Sequence, residues 1–347
     1  MSQTVHTFQI SLSWDLINQL SELDRFDATW SSIEKREGVS LKQLRSIATV
    51  RSVGASTRIE GSKLSDEEID VFLRNIDISR LDDHDSQEVL GYFETLDFIL
   101  ESYDDIDISE GNIMHLHNKM LTHSHRDSWH RGNYKTHTNA VEATLPDGTK
   151  QIIFEPTNPG YPTRDAMQSM LEWYGADDRT HPLIKCAVFT YEFLSIHPFQ
   201  DGNGRLSRLL STLLMMRHGY SWIQYVSFEH EIENRKTTYY GELRRCQAER
   251  PGENISSWVG FYLGALQNLQ KKLTAKLSVD SIDAKLAPRQ KSVLTFVGDH
   301  PGCRSGDIAR RLGIPSPSVK KILTVLVKTG LIERHGQGPG TNYSHNL

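Results

Sequence analysis

Apolar residues recur at helical spacing along most of this 347-residue chain, with one interruption that has strand-like alternation. Residues 12–37 and 40–58 each carry an amphipathic pattern. In the second, Leu41, Leu44, Ile47, Ala48 and Val50 supply the apolar or small positions. Ser65 followed three places later by Glu68 has the form of a capping box, which predicts a helix over 65–76. Val89, Leu90, Phe93, Leu96 and Ile99 share a face of a helix over 85–103, and Ser109 is placed to cap another through Met120. Helices follow at 163–174 and 182–195. From 205 onward Leu206, Leu209, Leu210, Leu213 and Leu214 repeat at i, i+3, i+4, i+7 and i+8, the stripe of a buried helix. A long helix over 254–276 closes this series.

The interruption is residues 131–160. There Pro146-Asp147-Gly148 separates NAVEATL from KQIIFEP, a turn triplet between two strand-forming runs, which predicts a β-hairpin. Near the C-terminus a polar stretch over 277–288, ending in Pro288, reads as a linker. Beyond it, residues 288–347 read as a winged helix. A helix at Arg304–Leu312 is followed by a turn at Gly313-Ile314-Pro315. Ser316 caps a second helix to Thr329, with Pro317 at its first position, and Leu331–Arg334 and Thr341–Tyr343 form wing strands. The fold class expected is therefore mainly α, with a β-hairpin and a small C-terminal winged helix-turn-helix domain.

Charge refines that division. The net charge is −5, yet the segment from Arg289 onward holds nine Lys and Arg against three Asp and Glu, leaving −11 for the rest. An acidic body with a basic tail assigns any DNA contact to residues 288–347. Arg310, Arg311, Lys320 and Lys321 would meet phosphates, and Ser318 would face base edges. Protein docking by the same module stays open. Cys186, Cys246 and Cys303 are odd in number and far apart, as reduced thiols would be. No apolar run approaches the ~20 residues of a membrane helix, and the start lacks a leader pattern. A cytoplasmic protein without membrane contact is expected. His115, His117, His123, His125 and His130 lack ligand spacing or companion carboxylates, and read as packed or solvated side chains.

The chemistry concentrates in His197-Pro198-Phe199-Gln200-Asp201-Gly202-Asn203-Gly204-Arg205-Leu206-Ser207-Arg208. Pro198 ends the preceding helix. Gly202 and Gly204 permit a tight turn whose amides point one way, and the next helix starts at once, so its free N–H groups face that turn. Arg205 and Arg208 lie three apart and can reach one anion. Asp201 offers the hard oxygen that Mg²⁺ prefers, and His197 can take a proton near neutral pH.

This twelve-residue run resembles the complete signature of the Fic family, and the resemblance extends over roughly residues 40–260. It implies an N-terminal helical region over 1–108 that carries an inhibitory helix, a catalytic core over 109–280, and transfer of AMP from ATP with Mg²⁺ to a Ser, Thr or Tyr hydroxyl. It makes His197 the base and Asp201 the Mg²⁺ ligand. Gly202, Asn203, Gly204, Arg205, Leu206, Ser207 and Arg208 join the ATP site, with Arg205 toward the β-phosphate and Arg208 toward the γ-phosphate. Relatives of the Doc toxin kind carry Lys at the position of Gly204 and transfer phosphate instead.

Further matches fill in the site. Asn139, Ala140, Val141 and Glu142 fall where flap residues of the family touch ATP, although they depart from its commoner apolar-plus-glycine pattern. Tyr239 and Tyr240 match aromatics that flank adenine, and Gln247 stands where relatives often place Asn. Ser56-Thr57-Arg58-Ile59-Glu60-Gly61 is similar to the family's inhibitory signature, in which Glu60 takes Arg208 from the γ-phosphate. ATP and an unidentified target protein are the implied partners, with self-modification and a homodimer as further expectations. Two alternatives stay open: a DNA-binding regulator whose Fic core senses nucleotide, and removal of AMP by the same site.

Overall fold

A computed structural model describes residues 9–75, 81, 83–144, 150–336 and 338–345. The chain divides into two compact units, Met1–Lys271 and Lys272–Leu347. The first is built from helices α1 (Trp14–Arg36), α2 (Gly38–Glu60), α3 (Asp66–Arg74), α4 (His84–Ser102) and α5 (Glu110–Met120). A hairpin of β1 (Val141–Thr144) and β2 (Lys150–Phe154) comes next. Then follow α6 (Tyr161–Ala176), α7 (Pro182–Ile196), α8 (Asn203–Arg217), α9 (Phe228–Asn234), α10 (Lys236–Gln247) and the start of α11 (Ser256–Lys285). The expected mainly α architecture is what is observed.

The centre of this unit is α7 packed along α8. Every residue from Leu183 to Ile196 is buried, the pattern of a helix enclosed on all sides. Two of its hydroxyls are satisfied within the helix: Thr190 Oγ1 donates to Cys186 O (2.8 Å), and Ser195 Oγ donates to Tyr191 O (2.9 Å). Trp258 of α11 donates its indole N–H to Ala187 O at 2.8 Å, fixing α11 against α7.

Helix α2 is amphipathic only in its first half, where Leu41, Leu44 and Ala48 are buried. From Ser52 to Thr57 every side chain is buried. This run, Ser-Val-Gly-Ala-Ser-Thr, is small, so α4, α8 and α9 pack closely around it. The helix ends in a left-handed glycine. Gly61 has φ +117°, its N–H bonds Arg58 O (3.1 Å), and the N–H of Ser62 bonds Thr57 O (3.1 Å), the Schellman arrangement. Glu60 is thereby the last helical residue.

The predicted hairpin is present as antiparallel β1 and β2, with a register shift between Val141 and Glu142. Its turn triplet Pro146-Asp147-Gly148 lies outside the described residues. The capping box at Ser65 and Glu68 is formed on both sides.

In the second unit α12 (Pro288–Asp299), α13 (Ser305–Leu312), α14 (Ser316–Lys328) and the antiparallel pair β3 (Ile332–His335) and β4 (Asn342–His345) enclose a core that includes Val293, Val297, Ile308, Val319, Leu323 and Leu326. Two expectations are corrected. The supposed linker over 277–288 is helical as far as Lys285, because no glycine or proline interrupts it before Pro288. Ser316 is the first helical residue, without a side-chain cap; Pro315, whose dihedrals are already extended, holds the cap position.

Candidate active site

The loop between α7 and α8 is held from three directions. At His197 the chain turns left-handed (φ 51°), the sole positive-φ residue other than glycine among the described residues. A side chain with a Cβ adopts this region at a cost that persists only where its surroundings enforce it. Enforcement comes first from Pro198, which cannot continue a helix. Asn203 supplies the second constraint: its Oδ1 accepts from Phe199 N (2.9 Å) while its Nδ2 donates to Phe199 O (2.8 Å). The third is the segment leading to β1. Lys135 N donates to Pro198 O (2.9 Å), and Asn139 Nδ2 donates to His197 O (3.2 Å) and Phe199 O (2.7 Å).

Phe199, fully buried, stacks on His117 with centroids 3.8 Å apart. Gly132 N donates to His117 Nδ1 (2.9 Å), so the ring proton sits on Nε2 and is donated to Asp201 O (3.0 Å). Burial pushes this imidazole down to about 4, keeping it neutral.

His197 Nδ1 lies 3.3 Å from Leu194 O. That contact places its proton on Nδ1 and leaves the Nε2 lone pair free. Burial, and then the nearby Lys135, lower its pKa to about 4, so the imidazole is uncharged at neutral pH. Gly202, left-handed at φ 77°, caps α8. That backbone conformation is what favours glycine there; an added Cβ would also meet the terminal methyl of Met120. Leu206 N–H bonds back to Gly202 O, and the amides of Asn203, Gly204 and Arg205 precede that first intrahelical bond. Partial desolvation at the mouth of the loop opposes the charge of Asp201, but Arg205 and the Gly202 amide (2.6 Å) outweigh it and hold its carboxyl below the usual range.

The two arginines take different partners. Arg208, only 1% exposed, donates from Nε to Ser56 Oγ (2.8 Å) and from Nη2 to Ser56 O (3.0 Å) and Glu60 Oε1 (2.7 Å). Burial opposes its charge, yet Glu60 keeps its pKa raised. The Glu60 carboxylate also fills the space over Gly204, where an added Cβ would collide with it. Arg205 is buried and bound to Glu88 of α4 and more loosely to Asp201 (3.4 Å).

A cavity of about 330 Å³ opens between these groups, in the range of small-molecule sites. Glu60, Asn139, Ala140, His197, Asp201, Gly202, Asn203, Gly204, Arg208, Tyr239, Tyr240 and Gln247 line it. Arg205, Leu206 and Ser207, expected among the ATP contacts, do not. Leu206 is in the core, Ser207 Oγ turns back to Gly204 O (2.7 Å), and Arg205 is held by Glu88. The side chains of Val141 and Glu142 lie outside the described residues. Tyr239 packs on Trp258 (5.2 Å) and meets Tyr240 edge-on (5.1 Å).

Comparison with known proteins agrees with this architecture. Residues 107–215 match the Fic/DOC family, and residues 285–340 match the MarR family. Over residues 107–215 the chain is thus similar to a Fic domain. Proteins named protein adenylyltransferase Fic from Drosophila sechellia and Drosophila melanogaster are 28% identical over 208 residues, which is 58% of this chain and 39% of theirs. The chain thus spans about two fifths of the length of those relatives. The crystal structure of a Fic family protein from Desulfovibrio desulfuricans superposes with a TM-score of 0.64 at 23% identity, covering 98% of both chains. Fic-1 from C. elegans gives 0.54 at 22% identity, covering 75% of this chain and 72% of that one. The C-terminal unit is a MarR-like winged helix, with Arg310, Arg311, Lys320 and Lys321 exposed.

Several residues of the candidate site carry no local signal in the sequence. Leu194, Arg244 and Phe154 join the cavity wall beside Gln200 of the His197–Arg208 run and Leu243 of the stretch that follows Tyr239, and Arg244 lies over the Tyr240 ring at 5.6 Å. Glu88, the partner of Arg205, sits beside an apolar stripe like any surface carboxylate. Of the histidines between 115 and 130, His117 stacks behind the loop, His123 meets Glu94 (2.9 Å) and His130 meets Asp127 (3.2 Å).

Proposed function

We propose that this chain is a protein adenylyltransferase that moves AMP from ATP to a Ser, Thr or Tyr hydroxyl of a target protein or of itself, and that Glu60 restrains it. The observation carrying this reading is one cavity that joins a neutral His197, the Gly202–Gly204 amide nest, Asp201 and the buried Arg208. The name of the Drosophila relatives supports the same reaction.

In the proposed step, His197 Nε2 takes the proton of the target hydroxyl. The hydroxyl oxygen bonds to the α-phosphorus, and the bond to the bridging oxygen breaks. Diphosphate leaves with the electron pair, and the proton stays on the imidazole. An imidazole with a pKa of about 4 is a weak acceptor by itself, but a bound triphosphate raises that value toward working pH. The amides at the start of α8 and the guanidinium of Arg208 would orient the phosphates. Mg²⁺ bound with ATP would neutralise charge on the phosphates. Asp201 suits it as the protein ligand, since its carboxylate is ionised and 55% exposed. Among the described residues no cluster of three or more His, Cys, Asp or Glu could cage a metal, so phosphate and water oxygens would complete the shell.

The direct test is incubation with ATP labelled in the α-phosphate and Mg²⁺, with and without cell lysate. His197→Ala should retain ATP binding and lose ~10²–10⁴-fold in transfer. Near-wild-type transfer by that variant would falsify the assignment of the base. Removal of AMP is a second reading, favoured by Glu60 itself: Oε1 binds Arg208 while the side chain stays 32% exposed, which leaves the other oxygen available to water. Loss of label from a pre-modified protein, abolished in Glu60→Gly, would establish it. For the winged helix, DNA binding is the proposed role of its exposed basic residues.

A further inference from the structure

Lys135 is 2% exposed, and its ammonium donates to two neutral oxygens, Asn139 Oδ1 (2.9 Å) and Ile196 O (3.1 Å). No carboxylate among the described residues is seen to pair with it. A buried charge without a counter-ion is costly and persists where the fold holds it in place. Here it is held at the root of the loop, since its own N–H bonds Pro198 O (2.9 Å) and Asn139 in turn grips the carbonyls of His197 and Phe199.

We propose that Lys135 is a positioning residue for His197: its ammonium and its backbone N–H tie down the carbonyls on either side of the base, which also sets a like charge beside the imidazole. The proposal rests on His197 being the base, but its central measurement does not. Around the imidazole stand Glu60 from α2, Asp201 from its own loop, Arg208 from α8, Arg244 from α10 and Lys135 from the segment before β1. Glu60 and Asp201 favour the protonated ring, and Lys135 opposes them. A nearby like charge disfavours ionisation, an effect on the order of one pH unit in a partly buried site. Desolvation lowers the lysine itself to about 8, so it remains mostly charged at neutral pH.

The experiment is an NMR titration of the histidine ring signals of the full chain, with His197→Gln used to assign the His197 resonance. In Lys135→Met the His197 pKa should rise by about one unit, and in Lys135→Arg it should stay at its wild-type value. The acid limb of the pH dependence of AMP transfer should move upward by the same amount in Lys135→Met only. Should Lys135→Met fail to fold, Lys135→Gln keeps a donor without the charge and should show the same rise. An unchanged His197 titration in the folded, uncharged variant overturns the proposal, because a merely structural lysine would lower the melting temperature without moving that pKa. Failure of the base assignment would be seen separately, as full transfer activity in His197→Ala with the Lys135 titration shift intact.

Discussion

Replacing Glu60 by glycine tests the restraint most directly. The substitution takes a carboxylate from a guanidinium that is 1% exposed and leaves Arg208 bonded to Ser56 alone. Removing one partner of a fully buried pair costs ~3–5 kcal/mol. Glu60 is 32% exposed, so water can follow it out, and the loss should be nearer ~1–2 kcal/mol after that screening. Each kcal/mol lowers the melting point by ~2–4 °C for a unit of this size. The variant should therefore melt a few degrees lower without nucleotide and be stabilised by ATP more than the wild type, because the γ-phosphate can take the vacated guanidinium. Transfer should rise by up to ~10²-fold, the scale on which misplacement of a reacting group acts. Arg208→Ala in the same chain should erase the gain. The assay is AMP incorporation for wild type, Glu60→Gly and Glu60→Gly/Arg208→Ala at identical ATP and Mg²⁺, alongside thermal melts. A Glu60→Gly variant no more active than wild type refutes the restraint, whatever its melting point.

Stability should fall on acidification below about 6.5, because His117 and His197 have folded pKa values of about 4. Their depressed values contribute stability that is present above the unfolded pKa and lost as pH falls through the folded one, worth ~3 kcal/mol for each ring. Denaturant melts between pH 7 and 4 measure this, and His117→Gln should flatten the slope. Gln247 should select adenine: Ser195 Oγ already donates to Tyr191 O and accepts from Gln247 Nε2 (3.1 Å), so Oε1 is the group offered to a base amine. Gln247→Leu should narrow the preference for ATP over GTP by at least ~10-fold, and an unchanged ratio would exclude that role. If residues 288–347 bind DNA, the affinity of the full chain should fall steeply with salt, and Lys320→Ala/Lys321→Ala should reduce the salt slope. A flat response would leave protein docking as the role of the winged helix.

Much of the candidate site is written locally. Pro198 stops α7, Gly202 turns the chain left-handed and Asn203 opens α8, all within six residues, so the nest could be read from the string itself. The same holds for α2. Ser56 and Glu60 are four apart and share a helix face, and Gly61 ends the helix because only glycine adopts its φ of +117° cheaply. The hairpin, the capping box at Ser65 and the order of the winged helix are likewise short-range patterns. Tertiary packing decided which distant groups these local pieces meet. Arg205, expected on a phosphate, is claimed by Glu88, 117 residues away, because α4 packs across α8. Asn139 lines the cavity and at the same time uses its amide to clamp the His197 loop. Lys135 is charged and would pass for a surface residue until the fold buries it. The small run from Ser52 to Thr57 gives no strong amphipathic signal, since a helix buried on every side has no polar face to display. Local propensity is set within a turn or two of chain, whereas the partner of a buried charge depends on which helices come together, and no short stretch of sequence contains that.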